Sequence, residues 1–132
     1  MKVLLLGHKG MLGHMVKKYL NTSTDYDVYM LHSRFQSDPF KESVLSHNWD
    51  YIINCVGAIP QRTKNFSVNY ELPIWLEKNT TSRIIHPGTD CETNDNEYGI
   101  SKKQARDYIV DKGIHTKIIK TSIIGPELGE PS

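Results

Sequence analysis

The sequence predicts an α/β domain with a doubly wound parallel sheet covered by helices on both faces, in three layers. Short apolar runs alternate along the chain with segments whose apolar residues recur at helical spacing. The first run, residues 2–6, ends in a glycine-rich turn that opens a helix. The run at 50–56 is nearly continuous in apolar side chains, as in a strand buried on both faces. Because parallel strands need crossover connections, this alternation favours a parallel sheet.

Length and composition point to one compact domain over residues 1–132, with a loop-like tail at 122–132. A hydrophobic content of 38% with 23% charged residues is typical of a soluble globular chain. A net charge of +1 indicates neither a nucleic-acid nor a membrane partner. The apolar runs are too short to span a membrane and the start lacks a signal-peptide cleavage pattern, so we expect a cytoplasmic protein.

The cysteines and histidines show no metal-binding spacing. Six histidines form no paired-ligand pattern, and two cysteines are too few for a disulfide framework. We therefore expect no metal, and we expect Cys55 and Cys91 to be small core residues.

The predicted strands lie at 2–6, 27–31, 50–56, 83–86 and 116–121, with no clear strand at 35–49. Helices are predicted from the glycine turn to a polar cluster at 21–25, and at 40–47, 66–78 and 99–112. Pro73 should kink or interrupt the third helix, and Pro87 with Gly88 should break the fourth strand.

Apolar residues recur at helical spacing in the predicted helices. In the first helix one stripe contains Met11, Leu12, Met15, Val16, Tyr19 and Leu20. In the second we expect Phe40, Val44 and Leu45 to face inward. In the fourth helix the apolar residues are Ile100, Ala105, Tyr108 and Ile109.

Three glycines spaced by three follow the first strand, namely Gly7, Gly10 and Gly13. The first permits a tight turn, the second removes a side chain where a pyrophosphate approaches the backbone, and the third lets the helix pack closely on the strand. The phosphates would then lie at the N–H groups and positive dipole end of the helix. In this strand–turn–helix context the motif predicts dinucleotide binding rather than an ordinary loop, through Gly7, His8, Lys9, Gly10, Met11, Leu12 and Gly13.

The ends of two later strands extend this candidate site. A basic residue after the second strand accommodates the 2′-phosphate of NADP, whereas an acidic one accepts the ribose hydroxyl of NAD. Here that position offers Ser33 and Arg34, so the sequence favours NADP(H) over NAD(H), although Arg34 as a solvated surface charge is the alternative. After the third strand, small residues would let the cofactor pass close by, at Cys55, Val56, Gly57 and Ala58.

Tyr98 and Lys102 are four residues apart at the start of the fourth helix, so both can face one site. An ammonium beside a phenol lowers the phenol pKa and lets it exchange a proton with a carbonyl oxygen. The hydroxyl of Thr89, just past a strand end, could hold that oxygen. The same spacing recurs at Tyr108 and Lys112, which we interpret as packing and a favourable charge at the helix end.

These residues and several short motifs occur in the order found in the extended short-chain dehydrogenase/reductases. The motifs are Gly7-x-x-Gly10-x-x-Gly13, Asn54-Cys55-Val56-Gly57-Ala58, Val68-Asn69, Gly88-Thr89-Asp90-Cys91, Tyr98-Gly99-Ile100-Ser101-Lys102 and Lys120-Thr121-Ser122-Ile123-Ile124-Gly125. Within that family the chain most resembles the dTDP-4-dehydrorhamnose reductase type, over nearly its whole length.

The resemblance implies a Rossmann-type domain that binds NADP(H) or NAD(H), with Thr89, Tyr98 and Lys102 at the positions of the catalytic triad. Tyr98 would be the proton donor and, with Lys102, would also bind the cofactor. Lys102 would bind the nicotinamide ribose and lower the tyrosine pKa, and Thr89 would polarise the substrate carbonyl. Asn69 would be structural or part of a proton relay.

Two departures from the family pattern bear on activity. Only eight residues separate Thr89 from Tyr98, and Cys91-Glu92-Thr93 replaces an aromatic-rich motif, which puts the triad geometry in doubt. The relatives also continue beyond the last strand into a region that builds most of the sugar-nucleotide pocket.

Three hypotheses follow from the sequence. The first is a reductase-like domain acting on the carbonyl of a nucleotide-sugar, truncated or completed by another chain. The second is a non-catalytic dinucleotide-binding module, and the third is a flavodoxin-like or receiver-type sheet without a nucleotide. Apolar groups on the third and fourth helices, including Trp75 and Tyr108, also predict self-association.

Overall fold

The computed structural model describes residues 1–35, 37–56, 67–88 and 97–120, without the side chains of Tyr98 and Lys120. The strands are β1 (Lys2–Leu6), β2 (Asp27–Met30), β3 (Tyr51–Asn54), β4 (Arg83–Gly88) and β5 (Thr116–Lys120). The helices are α1 (Met11–Ser23), α2 (Asp38–Leu45), α3 (Val68–Asn79) and α4 (Glu97–Lys112). The predicted order of elements is confirmed, with bounds that shift by a few residues.

All strand pairs in the sheet are parallel, and the strand order is β2-β1-β3-β4-β5. The register places Leu4 beside Tyr29 on one side and beside Ile52 on the other. The chain therefore leaves β1 toward β2 and then returns across it to β3. This change of direction creates a crevice at the carboxyl ends of β1 and β3, where ligands bind in open parallel sheets.

The helices lie on both faces of the sheet because the crossovers run in opposite directions. A right-handed connection from β1 to β2 places α1 on one face, whereas connections from β2 through β5 place α2, α3 and α4 on the other. Contacts of α1 with β1 and β2, and of α3 with α4, agree with this assignment. The three-layer, Rossmann-like α/β fold predicted from the sequence is confirmed.

The main core lies on one face of the sheet, between the strands and helices α2 and α3. The strands contribute Leu4, Leu6, Ile52 and Ile84, and the helices and connections contribute Phe40, Val44, Trp49, Leu72 and Leu76. The indole of Trp49 donates a hydrogen bond to the carbonyl of Val44 at 2.8 Å, so its polar atom is satisfied inside the core. Burial of these side chains provides most of the stabilisation of this layer.

Some predicted helix faces are wrong. Along α1 the fully buried positions are Gly13 and Leu20, while Met15 is 48% and Tyr19 62% exposed. Only one side of α1 contacts β1 and β2. The wider apolar stripe predicted for this helix is therefore only partly buried. Leu45 and Ile100 are likewise 54% and 49% exposed.

Two proline predictions also need correction. Helix α3 continues through Pro73, so the predicted interruption is wrong; Pro73 is buried, as are Leu72 and Leu76. Strand β4 continues through Pro87 to Gly88 rather than ending at residue 86. Strand β4 pairs with β3 only as far as Ile85 but with β5 as far as Gly88. Pro87 therefore has a paired strand on one side only, and its missing N–H is tolerated there.

Candidate functional site

The glycine turn after β1 lies directly against the end of β3. Gly7 has a φ of 81°, which residues with a side chain rarely adopt. A Cβ at Gly7 would lie 2.6 Å from the carbonyl carbon of Cys55 and 2.6 Å from the amide nitrogen of Val56. The Cys55 N–H donates to the carbonyl of Leu6 at 2.8 Å, which holds the two strand ends together. Gly7 is therefore required by both backbone conformation and space.

Gly13 and Gly10 play different parts in the same turn. A Cβ on Gly13 would overlap the carbonyl oxygen of Gly7 and lie 2.9 Å from the Cα of His8, so α1 can approach the turn only with glycine there. A Cβ on Gly10 would meet only the Gly7 oxygen, at an ordinary 3.6 Å. Gly10 also has φ −76° and ψ 173°, which any residue adopts. Within the described residues, nothing about folding demands glycine at position 10.

The first turn of α1 has a charge distribution that favours an anion. Gly10 is its N-cap, no side chain from the described ranges caps it, and its first turn holds no acidic residue. Free N–H groups and the positive end of the helix dipole favour a negative group at this position. Met11 and Leu12 follow the cap and are half-buried, and Lys9 beside them is exposed. The turn could hold the phosphates of a dinucleotide.

Asn54 fixes the backbone that follows β3. Its side chain is fully buried, and its Oδ1 accepts a hydrogen bond from the Val56 N–H at 3.1 Å. This leaves the Asn54 amide nitrogen to donate to Nδ1 of His86 at 3.4 Å, so the ring proton of neutral His86 lies on Nε2. Burial, and then the charge of Lys102, lowers the pKa of His86 to about 3. His86 is thus a neutral hydrogen-bond acceptor at physiological pH.

Cys55 lies beside this turn and is half-buried, so its expected place in the core is only partly realised. Burial raises the pKa of its thiol to about 12, which keeps the sulfur protonated and unreactive. Cys55 therefore acts at this edge of the sheet through the size and packing of its side chain, not through thiol chemistry.

Lys102 reaches the same edge of the sheet from α4. The side chain is buried, and its Nζ donates to the carbonyl of Pro87 at 3.2 Å, near the end of β4. On the preceding residue, Ser101 accepts a hydrogen bond from the Asn69 side chain of α3 at 3.1 Å. Both Asn69 and Ser101 are buried. Together with the hydrogen bond from Lys102 to Pro87, their contact joins α3, α4 and β4 through polar groups.

The end of β2 carries the other predicted binding residues. Ser33 is half-buried and Arg34 is exposed. His32, which is not among the predicted binding residues, is exposed, and its ring contacts that of His8 edge to face, with centroids 5.2 Å apart. The structure thus places His8 of the glycine turn beside the residues that follow β2.

Several predicted site residues lie outside the described part of the chain. They are Thr89, Gly57 and Ala58, and for Tyr98 only the helical backbone is described. Among the rest, the glycine turn, Cys55, Val56 and the end of β2 come together, and Lys102 lies at the same edge near the end of β4. Asn54 and His86 were missed as site residues, although a polar residue inside an apolar strand was a visible signal.

The described ranges contain no helix able to cross a membrane and no cluster of three or more residues suited to metal binding.

Fold and site together define a class, the Rossmann-like parallel α/β domains. No protein-family model matches the chain, and no curated protein matches it in sequence. Its structure is similar to the ADP-L-glycero-D-manno-heptose-6-epimerase of Helicobacter pylori, with a TM-score of 0.74 and 11% identity, covering 92% of this chain and 54% of that one.

Two further solved structures are similar at a TM-score of 0.66. One is a hypothetical dTDP-4-dehydrorhamnose reductase from Sulfolobus tokodaii, with 19% identity, covering 92% of this chain and 56% of the other. The second is the UDP-glucuronic acid 4-epimerase of Bacillus cereus in complex with NAD, with 15% identity and coverage of 92% and 55%. At such identities the likeness shows the fold, and the chain spans little more than half the length of each of these three proteins.

Proposed function

We propose that the chain is an NADP(H)-binding domain of the reductase type, which transfers hydride to a carbonyl group of a nucleotide-sugar, with a 4-keto sugar nucleotide as the substrate class. The observation that carries the proposal is Gly10. Among the described residues, packing explains Gly7 and Gly13 but not Gly10. A glycine that no described neighbour requires, at a helix start that no described side chain caps, fits the close approach of a phosphate to the backbone.

The position of the turn supports the same proposal. It lies at the carboxyl ends of β1 and β3, where the strand order changes direction. Solved structures with this fold include a UDP-glucuronic acid 4-epimerase in complex with NAD and a protein described as a dTDP-4-dehydrorhamnose reductase. In this chain Ser33 and Arg34 after β2 favour the phosphorylated cofactor.

The residues proposed for chemistry are Thr89, Tyr98 and Lys102. The bound nicotinamide supplies the hydride chemistry. Thr89 would hold the substrate carbonyl oxygen, and Tyr98 would give it a proton. Lys102 is buried at the edge of the sheet where the cofactor would lie, and its Nζ donates to the carbonyl of Pro87. In the proposed role its ammonium would bind the nicotinamide ribose.

The experiment is a titration with NADPH and with NADH followed by nicotinamide fluorescence, and then a turnover assay with a 4-keto sugar nucleotide. Tyr98→Phe should abolish turnover but weaken cofactor binding by less than tenfold, because the glycine turn and Lys102 remain. Tyr108→Phe, from the second Tyr-x-x-x-Lys pair, is the matched control and should leave both unchanged. Absence of binding to either cofactor would overturn the proposal.

The alternative is a dinucleotide-binding module without catalysis. Tight cofactor binding with no turnover of any 4-keto sugar nucleotide, including at concentrations where the chain self-associates, would favour this alternative.

We also propose self-association through α3 and α4. Trp75 and Tyr108 are only half-buried by the described residues, although Lys78 and Lys112 lie over the Tyr108 ring at 5.5 and 6.0 Å and Phe35 packs edge to face on Trp75 at 6.0 Å. A monomer in sedimentation at high protein concentration would contradict this proposal.

A further inference from the structure

Two histidines meet where the carboxyl ends of β1 and β2 lie side by side. Leu5 pairs with Met30 in the sheet, so the residues just beyond both strands are neighbours. His8 lies in the glycine turn after β1, and His32 follows β2. Their rings are 5.2 Å apart with an angle of 86° between the planes. The glycine turn and the segment after β2 are therefore in direct contact through two titratable side chains.

The surroundings of the pair are positive. Burial lowers the pKa of His8, and the neighbouring His32 of the β2 end, Lys17 of α1 and Lys9 of the turn lower it further. No carboxylate of the described residues is among the causes of this shift. His8 is thus largely neutral at pH 7 when no ligand is bound, in a place that favours an anion.

We propose that His8 and His32 form a pH-sensitive subsite for the 2′-phosphate of the cofactor, so that the preference for NADP(H) over NAD(H) strengthens as the pH falls. The inference rests on the proposed dinucleotide binding and adds its regulation. The 2′-phosphate belongs at the end of β2, where Ser33 and Arg34 are also available. An incoming dianion favours the protonated form of an imidazole beside it, so binding would take up a proton.

The pair should take up one proton rather than two. Two imidazolium rings 5.2 Å apart repel each other, whereas one cation against the face of a neutral ring does not. One coupled proton changes an affinity by at most about tenfold per pH unit. A phosphate monoester loses its second proton near pH ~6, so the gain should level off below that pH.

The test measures dissociation constants for NADPH and NADH on the whole chain at pH 8.0, 7.25 and 6.5. We expect the ratio of NADH to NADPH dissociation constants to rise by roughly tenfold over this range, with uptake of about one proton per NADPH measured by calorimetry in two buffers. The dissociation constant of adenosine 2′,5′-bisphosphate should depend on pH as that of NADPH does. The dissociation constant of adenosine 5′-monophosphate should behave like that of NADH.

His32→Gln removes, at an exposed position, the ring that contacts His8, and should flatten the pH dependence of NADPH binding. His47→Gln, an exposed histidine stacked near Tyr29 and Trp49 away from the turn, is the matched control and should retain it. Equal pH dependence for NADPH and NADH, or an unchanged slope in His32→Gln, would overturn the inference while leaving dinucleotide binding intact. Failure to bind any of the four ligands at every pH would instead overturn the proposed function.

Discussion

The carboxylate of Glu77, on α3, accepts a hydrogen bond from the hydroxyl of Thr116, on β5, at 2.7 Å. The same carboxylate accepts hydrogen bonds from the backbone N–H groups of Ile114, His115 and Thr116, at 2.9 to 3.2 Å. Burial raises the pKa of Glu77, but these hydrogen bonds outweigh it, and the net pKa lies below the usual range. One acidic side chain therefore joins α3 to the start of β5.

Replacing this carboxylate should destabilise the fold. Glu77→Gln keeps the size of the side chain but turns an amide N–H₂ toward backbone donors, so we expect a loss of about 2 kcal/mol in the free energy of unfolding. Urea denaturation at pH 7 measures the loss. Glu42→Gln, an exposed position on α2, is the control and should change stability by less than ~0.5 kcal/mol. Equal effects of the two substitutions would contradict the role assigned to Glu77.

Substitutions at two glycines of the turn should have different effects, the one at Gly13 mainly on stability and the one at Gly10 mainly on NADPH binding. Gly13→Ala places a methyl group on the Gly7 carbonyl, and we expect a loss of about 3 kcal/mol or a failure to fold. Gly10→Ala has room for its methyl group among the described residues, so it should cost only about 1 kcal/mol, as a less favoured N-cap, but weaken NADPH binding at least roughly tenfold. Thermal denaturation and fluorescence titration measure the two effects. Unchanged affinity in Gly10→Ala would contradict phosphate binding at the turn.

His86 should make the fold sensitive to acid. The folded chain keeps His86 neutral down to pH about 3, whereas the unfolded chain protonates a histidine near pH ~6.5. Between these pH values the unfolded state binds more protons than the folded state. The contribution of neutral His86 to the free energy of unfolding is therefore fully present above pH ~6.5 and is lost as the pH falls.

His86→Gln retains an acceptor for Asn54 but cannot titrate. The slope of unfolding free energy against pH between 6.5 and 4 should therefore be smaller than in the wild type, by up to about 1.4 kcal/mol per pH unit. The comparison uses slopes, because the substitution also changes the absolute stability. His47→Gln should keep the wild-type slope, and a wild-type slope in His86→Gln would show that His86 does not remain neutral.

The Cys55 thiol should react slowly in the folded chain. With a pKa of about 12 it holds almost no thiolate at pH 8. In a Cys91→Ser background, which leaves one thiol, iodoacetamide should modify Cys55 far faster in urea than under native conditions. Mass spectrometry follows the reaction. Similar rates in both conditions would indicate that the thiol is accessible and ionised.

Local patterns in the sequence were sufficient for the class of fold and for one part of the site. Alternating apolar runs and helical spacings predicted the parallel α/β arrangement. The glycine motif predicted the turn, because the backbone at Gly7 and the helix contact at Gly13 exclude other residues whatever the rest of the chain does.

Contacts between distant segments decided the rest. Periodicity marked Met15, Tyr19 and Leu45 as apolar, but only the packing of helices on strands determines which apolar residues are covered. Neighbours distant in sequence such as Asn54 and His86, or His8 and His32, meet because the strand order places their strands side by side. The sequence by itself therefore determined the fold class and the glycine turn, which depend on local stereochemistry. Only the tertiary structure decided the strand order, the buried polar network and the histidine pair, since these depend on which surfaces pack together.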